Sequence, residues 1–183
     1  RNKLNLTTEF VATCVGQIQP RKGIYDFIET AKLCPNITFV WVGGTPFKGL
    51  TAEYSKLQEV VKNAPKNIIF TGIVDFAEMP AYYAMSDVYF MPSFQENFAF
   101  ATIEASSVRL PLLLRDNVEY PSSLFTHYLK GKTSDDFTEI VKKLGTDKSF
   151  FDKWSDESDQ LAAKYTLKVY MQKLVDIYKK VLS

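Results

Sequence analysis

The sequence predicts an α/β fold: a parallel sheet covered by helices on both faces. Three observations predict it. Short β-branched and aromatic runs alternate with segments of helical period. The intervening segments are long enough for helical crossovers, which parallel neighbours require. The strand runs are continuously apolar rather than alternating, as burial on both faces demands.

The elements follow in order. Phe10–Val15 (F-V-A-T-C-V) is the first strand and stops at Gly16; Ile24, Phe27, Ile28 and Ala31 then repeat at the spacing of one helix face. Ile37–Val42 (I-T-F-V-W-V) is the second strand, ended by Gly43-Gly44, and Leu57, Val60 and Val61 mark the next helix. Asn67–Thr71 is the third strand, before Gly72. A short helix over Ala77–Met85 leads into a fourth strand, Val88–Met91, and a helix runs from about Phe98 to Val108. Leu110–Leu114 is the fifth strand, and from about Ser134 onward only helices are predicted. The last of these carries Tyr170, Leu174, Ile177 and Val181 on one stripe, with Lys168, Lys173, Lys179 and Lys180 elsewhere. The pattern predicts a single domain over residues 1–183, with a sheet core at 10–133 and a helical tail at 134–183.

Composition narrows the function classes. The 183 residues are 46% hydrophobic and 23% charged, enough to bury a real core. Twenty-two Lys and Arg against 21 Asp and Glu leave a net charge of +1, so any anion site must be local and nucleic acid is not an expected partner. One histidine, His127, and two cysteines, Cys14 and Cys34, exclude the usual His/Cys metal cage and a disulfide scaffold; both cysteines read as packing residues, and no role is assigned to His127. No run approaches the roughly 18 apolar residues of a spanning helix. The start R-N-K leads into no apolar signal stretch, so a soluble, cytoplasmic domain is expected. Trp41, Tyr82 and Tyr83 fit core or cleft packing better than a base-stacking platform.

In an open parallel sheet, ligands bind beyond the carboxyl ends of the strands, where strand order reverses. The first such loop, G-Q-I-Q-P-R-K-G, sets Arg21 and Lys22 beside the start of a helix, a combination suited to phosphate. It is not G-x-G-x-x-G, which disfavours a dinucleotide. The loop Gly44–Thr51 (G-T-P-F-K-G-L-T) spaces its glycines like a P-loop but has Leu50 where the lysine must be, so an ATPase is rejected. Gly43 and Gly44 instead read as a tight strand end over which a ligand passes. The most informative stretch is M-P-S-F-Q-E-N-F-A-F-A-T-I-E-A. Glu96 lies just before a helix and Glu104 inside it, about 12 Å apart along the axis if the whole stretch were helical. Such a span suits one carboxylate on a ribose, the other on a hexose, and a diphosphate between them near the amides of Phe98, Ala99 and Phe100. Taken alone, Glu96 is a favourable charge near a helix start and Glu104 a residue of an exposed helix face.

The motifs V-G-Q-I-Q-P-R-K-G, F-V-W-V-G-G, I-I-F-T-G-I-V, M-P-A-Y-Y-A-M-S-D-V-Y-F-M-P-S and E-N-F-A-F-A-T-I-E-A occur here in a telling order. Together they resemble the C-terminal, nucleotide-sugar-binding half of retaining GT-B glycosyltransferases of group 1, family four type. The resemblance covers roughly residues 10–115 and implies a Rossmann-like core with C-terminal helices. It implies that Glu96 contacts donor-sugar hydroxyls, Glu104 binds the ribose, and Lys22 neutralises the diphosphate. Phe98 and Ala99 would bring amides to the phosphates, Gly72 and Val74 would line the base, and Gly16 and Gly43 would let the donor approach the backbone. Glu96, Lys22 and Arg21 form the expected catalytic set. No metal and no cofactor are implied; the donor is an NDP-sugar, with UDP-glucose or UDP-galactose favoured.

The sequence also departs from the family. Gln17 stands where an arginine is usual, with Arg21 as its substitute; E-G-F-G becomes E-N-F-A; and Arg109 takes the place of a helix-capping glycine. That last change costs about 1 kcal/mol if the left-handed conformation is kept. The segment L-P-L-L-L-R-D-N-V-E-Y-P-S-S-L-F resembles bacterial transferases that build diacylglycerol glycolipids, implying peripheral contact with the inner face of the cell membrane. A GT-B enzyme needs two Rossmann-like domains and this chain supplies one, so the N-terminal acceptor domain is expected to be absent and the fragment alone inactive. Two other readings stay open: a non-catalytic scaffold of degenerate GT-B type, and a sugar-nucleotide epimerase, against which the single histidine argues.

Overall fold

A computed structural model of the chain describes residues 1–6, 8–45, 54–96, 100–117, 120 and 127–182. Six strands form one sheet: β1 (Val11–Val15), β2 (Thr38–Val42), β3 (Ile68–Gly72), β4 (Val88–Met91), β5 (Leu112–Arg115) and β6 (Leu129–Gly131). Their order is β3-β2-β1-β4-β5-β6, and every neighbouring pair is parallel. The described helices are α1 (Ile24–Leu33), α2 (Tyr54–Lys62), α3 (Met79–Ala84), α4 (Phe100–Ser107), α5 (Ser134–Thr146), α6 (Lys148–Ala163) and α7 (Leu167–Leu182). The arrangement is a Rossmann-like sheet, as the strand pattern predicts.

Strand alternation divides the core into two layers. Phe39 and Trp41 on β2 and Phe90 on β4 meet Phe27 of α1, whose ring lies 5.0 Å from Trp41 and 5.5 Å from Phe90. Phe137 of α5 joins them 5.0 Å from Phe90, so the first helix of the tail seals the sheet. On the opposite face Val11, Val40 and Val42 pack with Tyr82 and Met85 around α3. Burying each of these large side chains contributes roughly 1.5–3 kcal/mol.

Boundaries differ from the sequence reading where turn chemistry intervenes. The fifth strand starts at Leu112 rather than Leu110 and includes Arg115. Pro111, lacking an N–H, serves only as acceptor for the Tyr89 amide. The predicted helix over Ala77–Met85 opens as a 3₁₀ turn, Phe76–Glu78, capped by the Asp75 carboxylate on the Ala77 amide, before α3 proper. β6 is not anticipated by the sequence: it has three residues, with Lys130 exposed between buried Leu129 and Gly131. α5 begins where a capping box closes it: Thr133 accepts from the Asp136 amide at 3.2 Å, and the Asp136 carboxylate accepts from the Thr133 amide at 3.0 Å. α7 has an apolar stripe but no buried residue.

Candidate functional site

The chain leaves β1 for β2 and β3 on one side, then returns to β4 on the other side of β1. The crevice outside the carboxyl ends of β1 and β4 is therefore the switch point of the sheet. Two loops fill it, Gly16–Gly23 after β1 and residues 92–96 after β4. They are laced together. The Phe94 amide donates to the Arg21 carbonyl at 2.9 Å, Ser93 Oγ donates toward the Arg21 and Gln95 carbonyls, and the Arg21 guanidinium donates to the Gln95 carbonyl at 2.8 Å. Gly23 permits this approach: its φ is 77°, and a Cβ there would stand 2.2 Å from the Pro92 carbonyl oxygen.

The lacing brings two of the sequence candidates into contact. Lys22 Nζ donates to Glu96 Oε1 at 2.6 Å, with side-chain exposures of 16% and 7%. Cys14 of β1 lies within electrostatic reach of both: burial pushes its thiol well up, Lys22 opposes that and Glu96 adds to it. Glu96 lies in the loop after β4, and residues 97–99, between it and the described start of α4, lie outside the described residues.

The loop carrying Glu96 is also held from beneath by a residue that sequence reasoning missed. Arg115, at the end of β5, is buried; it donates to the Pro92 carbonyl at 2.9 Å, to the Lys132 carbonyl and to the Asp26 carboxylate. Its guanidinium carbon lies 3.8 Å from the centroid of the Phe94 ring. Asn117 adds a bond from its amide nitrogen to the Ser93 carbonyl at 2.9 Å. A charge at the end of an apolar run was the available signal, and it did not announce these partners.

On the other side of the first loop, Gly16, Gln17, Gly43, Gly44, Ile73, Val74 and Met79 help line a cavity of about 280 Å³. Its floor is backbone. The Gly16 amide donates to the Val42 carbonyl at 2.9 Å, the Gly43 amide to the Gly72 carbonyl at 3.0 Å, and Trp41 Nε1 to the Gly16 carbonyl at 2.9 Å. Gly43 has φ 133°, and a Cβ there would stand 2.1 Å from the Gly16 oxygen. The predicted residues Gly16, Gly43 and Val74 thus share one mostly apolar pocket, with Gly72 bonded to its rim.

Glu104 corrects its reading as a solvent-facing residue. It is half-buried in α4, and Tyr83 of α3 donates its phenol proton to Glu104 Oε2 at 2.6 Å. Burial first, and the Glu104 carboxylate second, push the Tyr83 phenol well up, so it stays a donor. Phe98 and Ala99 lie outside the described residues, as do Asn97 and most of the Gly44–Thr51 loop. Arg109 keeps the left-handed conformation of the glycine it replaces, with φ 62°, and its side chain pairs with Asp156 and approaches Asp159 on α6. His127, given no partner from sequence, has two: Glu157 at Nδ1, and Lys164 at Nε2 at 2.9 Å. An ammonium only donates, so Nε2 accepts and Nδ1 carries the proton toward Glu157. Among the described residues, no three His, Cys, Asp or Glu side chains gather as a metal site, and no helix is long and apolar enough to cross a membrane.

A crevice with a cation–carboxylate pair, beside an apolar pocket floored by glycine backbone, can take an anionic group and a flat apolar one together. Comparison with known proteins gives the family and the fold. The chain is 33% identical over 181 residues to the alpha-galactosylglucosyldiacylglycerol synthase of Streptococcus pneumoniae, covering 98% of this chain and 48% of that protein. It is 36% identical over 132 residues to the processive diacylglycerol alpha-glucosyltransferase of Acholeplasma laidlawii, covering 71% of this chain and 39% of that one. The chain thus spans about half or less of the length of these relatives. Among solved structures, Anabaena HepE in complex with UDP-glucose superimposes with a TM-score of 0.82 at 16% identity, over 98% of this chain and 51% of that one. The fold is thus that of GT-B glycosyltransferases. Residues 1–160 match the family model of the glycosyl transferases group 1, and the chain belongs to that family.

Proposed function

We propose that this chain is the donor-binding half of a retaining hexosyltransferase. It takes glucose or galactose from a UDP-sugar and, with an acceptor domain in the remainder of the protein, passes it to a diacylglycerol glycolipid at the inner face of the cell membrane. The observation that carries the reading is the Lys22–Glu96 pair at the switch point, 2.6 Å apart and nearly buried.

The chemistry follows from charge. Breaking the anomeric C–O bond builds negative charge on the departing diphosphate, and Lys22 with Arg21 stands where fixed cations lower that barrier. In the resting pair Lys22 neutralises Glu96; when the diphosphate takes the ammonium, the carboxylate is released to accept from hexose hydroxyls. Glu96 positions the sugar, and the leaving group is already an anion that needs no general acid. Gly16, Gly43, Gly72 and Val74 receive the uracil and its ribose, with Glu104 accepting from the ribose hydroxyls. The relatives' names, which specify diacylglycerol glycosylation, support the acceptor class.

The test is titration calorimetry with UDP, followed by product analysis. UDP is expected to bind and Glu104→Ala to weaken it; undiminished binding by the variant refutes the ribose assignment. The complete protein that carries this chain, given UDP-glucose or UDP-galactose and a diacylglycerol glycolipid, should yield a product with the α-configuration of the donor by proton NMR. Inverted product refutes retention. Absence of both transfer and donor hydrolysis supports a scaffold instead.

A further inference from the structure

Tyr83 is almost wholly buried, its ring tilted against Tyr89 at 6.4 Å, and its one polar atom is committed to Glu104 Oε2 at 2.6 Å. That length is typical of a hydrogen bond to an ionised acceptor, which is about twice as strong as a neutral one. The bond ties α3, which precedes β4, to α4, which follows it, across 21 residues of sequence. A glutamate on a helix otherwise turns its carboxylate freely about the terminal torsion, because that rotor has no sharp minima. A second anchor removes that freedom. Of the carboxylate's two oxygens, Oε2 is occupied by the phenol, while among the described residues no donor reaches Oε1. An oriented carboxylate with one oxygen to spare suits a vicinal diol, whose hydroxyls donate at fixed spacing.

We infer that Tyr83 is a positioning residue for the nucleotide's ribose: by holding Oε2 of Glu104, it sets the carboxylate plane and leaves Oε1 to accept from the ribose hydroxyls. The inference rests on Glu104 being the ribose-binding acid. Tyr83 itself does not touch the ligand. Its contribution is preorganisation, so that the nucleotide does not have to order the acid on arrival. A tyrosine that merely packs would influence every nucleotide alike. A tyrosine acting through Glu104 matters only when the ribose hydroxyls are there to be held.

That contrast is the experiment. UDP and 2′,3′-dideoxy-UDP are titrated calorimetrically into the complete protein as wild type, Tyr83→Phe, Glu104→Gln and the double variant, with urea unfolding run on each. The wild type should prefer UDP by about tenfold, the size of one hydrogen bond to a charged group. Tyr83→Phe should reduce that preference to less than about threefold while leaving 2′,3′-dideoxy-UDP affinity unchanged. The double variant should discriminate no worse than Glu104→Gln alone. If Glu104→Gln abolishes the preference and Tyr83→Phe retains it, or weakens both nucleotides equally, the positioning role is overturned and the ribose reading stands. If the wild type shows no preference for UDP, or Glu104→Gln keeps the wild-type preference, the ribose reading fails and takes the inference with it. Should Tyr83→Phe lose its cooperative urea transition, Tyr83→His, which keeps a donor, substitutes for it; recovered folding without recovered preference also overturns the role.

Discussion

Replacing Lys22 with methionine would leave the Glu96 carboxylate in a nearly buried position without its counter-charge. At 2.6 Å, an effective dielectric of about 20 puts the direct attraction near 6 kcal/mol. Most of that is cancelled by the water both ions gave up, so the pair contributes little compared with two neutral groups. Removing one member is different, because the desolvation of the survivor stays. Breaking buried pairs typically costs 3–5 kcal/mol; the 16% exposure of Lys22 and its neighbourhood in an open crevice reduce this to about 2–3 kcal/mol. With a urea m-value of about 2 kcal/mol/M, the unfolding midpoint of Lys22→Met should fall by about 1 M. The double variant Lys22→Met/Glu96→Gln removes both charges and should recover most of the loss. Urea unfolding followed by far-ultraviolet circular dichroism measures all three proteins. A Lys22→Met midpoint equal to that of wild type, or a double variant as unstable as the summed single changes, refutes the reasoning.

Arg115→Met should lower stability by about 3 kcal/mol, because the Asp26 carboxylate and two carbonyls lose their donor together; chemical denaturation checks it, and Arg115→Lys should restore only part of the loss, since an ammonium lacks the planar fork. Arg109→Gly should raise stability by about 0.5 kcal/mol, because relief of the left-handed strain outweighs the exposed contacts to Asp156 and Asp159; a drop in midpoint would mean those contacts matter more. The Asp136 carboxyl is held below its ordinary range by the Lys132 and Thr133 amides, so its stabilising effect is full above the unfolded-state pKa and fades as pH falls through the lower folded value. Asp136→Ala should therefore cost about 1 kcal/mol at neutral pH, and its deficit should close in acid, as thermal melts across pH would record.

Strands β1 to β4 were legible because each is an apolar run that ends at a glycine or proline, and both faces of the sheet are covered. β6 was not, since three residues with a lysine in the middle carry no period to detect. Arg109 was legible in conformation: a non-glycine at a helix-capping glycine position keeps the backbone and bears the strain. Lys22 and Glu96 could be nominated from their loops, yet that they would meet depended on β1 and β4 being neighbours, a fact of topology rather than of local sequence. Arg115 and Tyr83 stayed hidden for a related reason. Their polar atoms are satisfied by groups 17 to 89 residues away, and nothing in a buried tyrosine or a strand-end arginine distinguishes such partners beforehand.

The bare face of α7 has a thermodynamic consequence. A helix of 16 residues with no buried side chain draws little support from the sheet, and at that length an isolated helix in water is only marginally stable. Amide protons along Leu167–Leu182 should therefore exchange with deuterated solvent in the early time points of a hydrogen-exchange series. Those of β1 and β4, at the centre of the sheet, should wait for the whole domain to open. This chain would then have two stabilities rather than one, separated near Tyr165, the last core-packed side chain among the described residues.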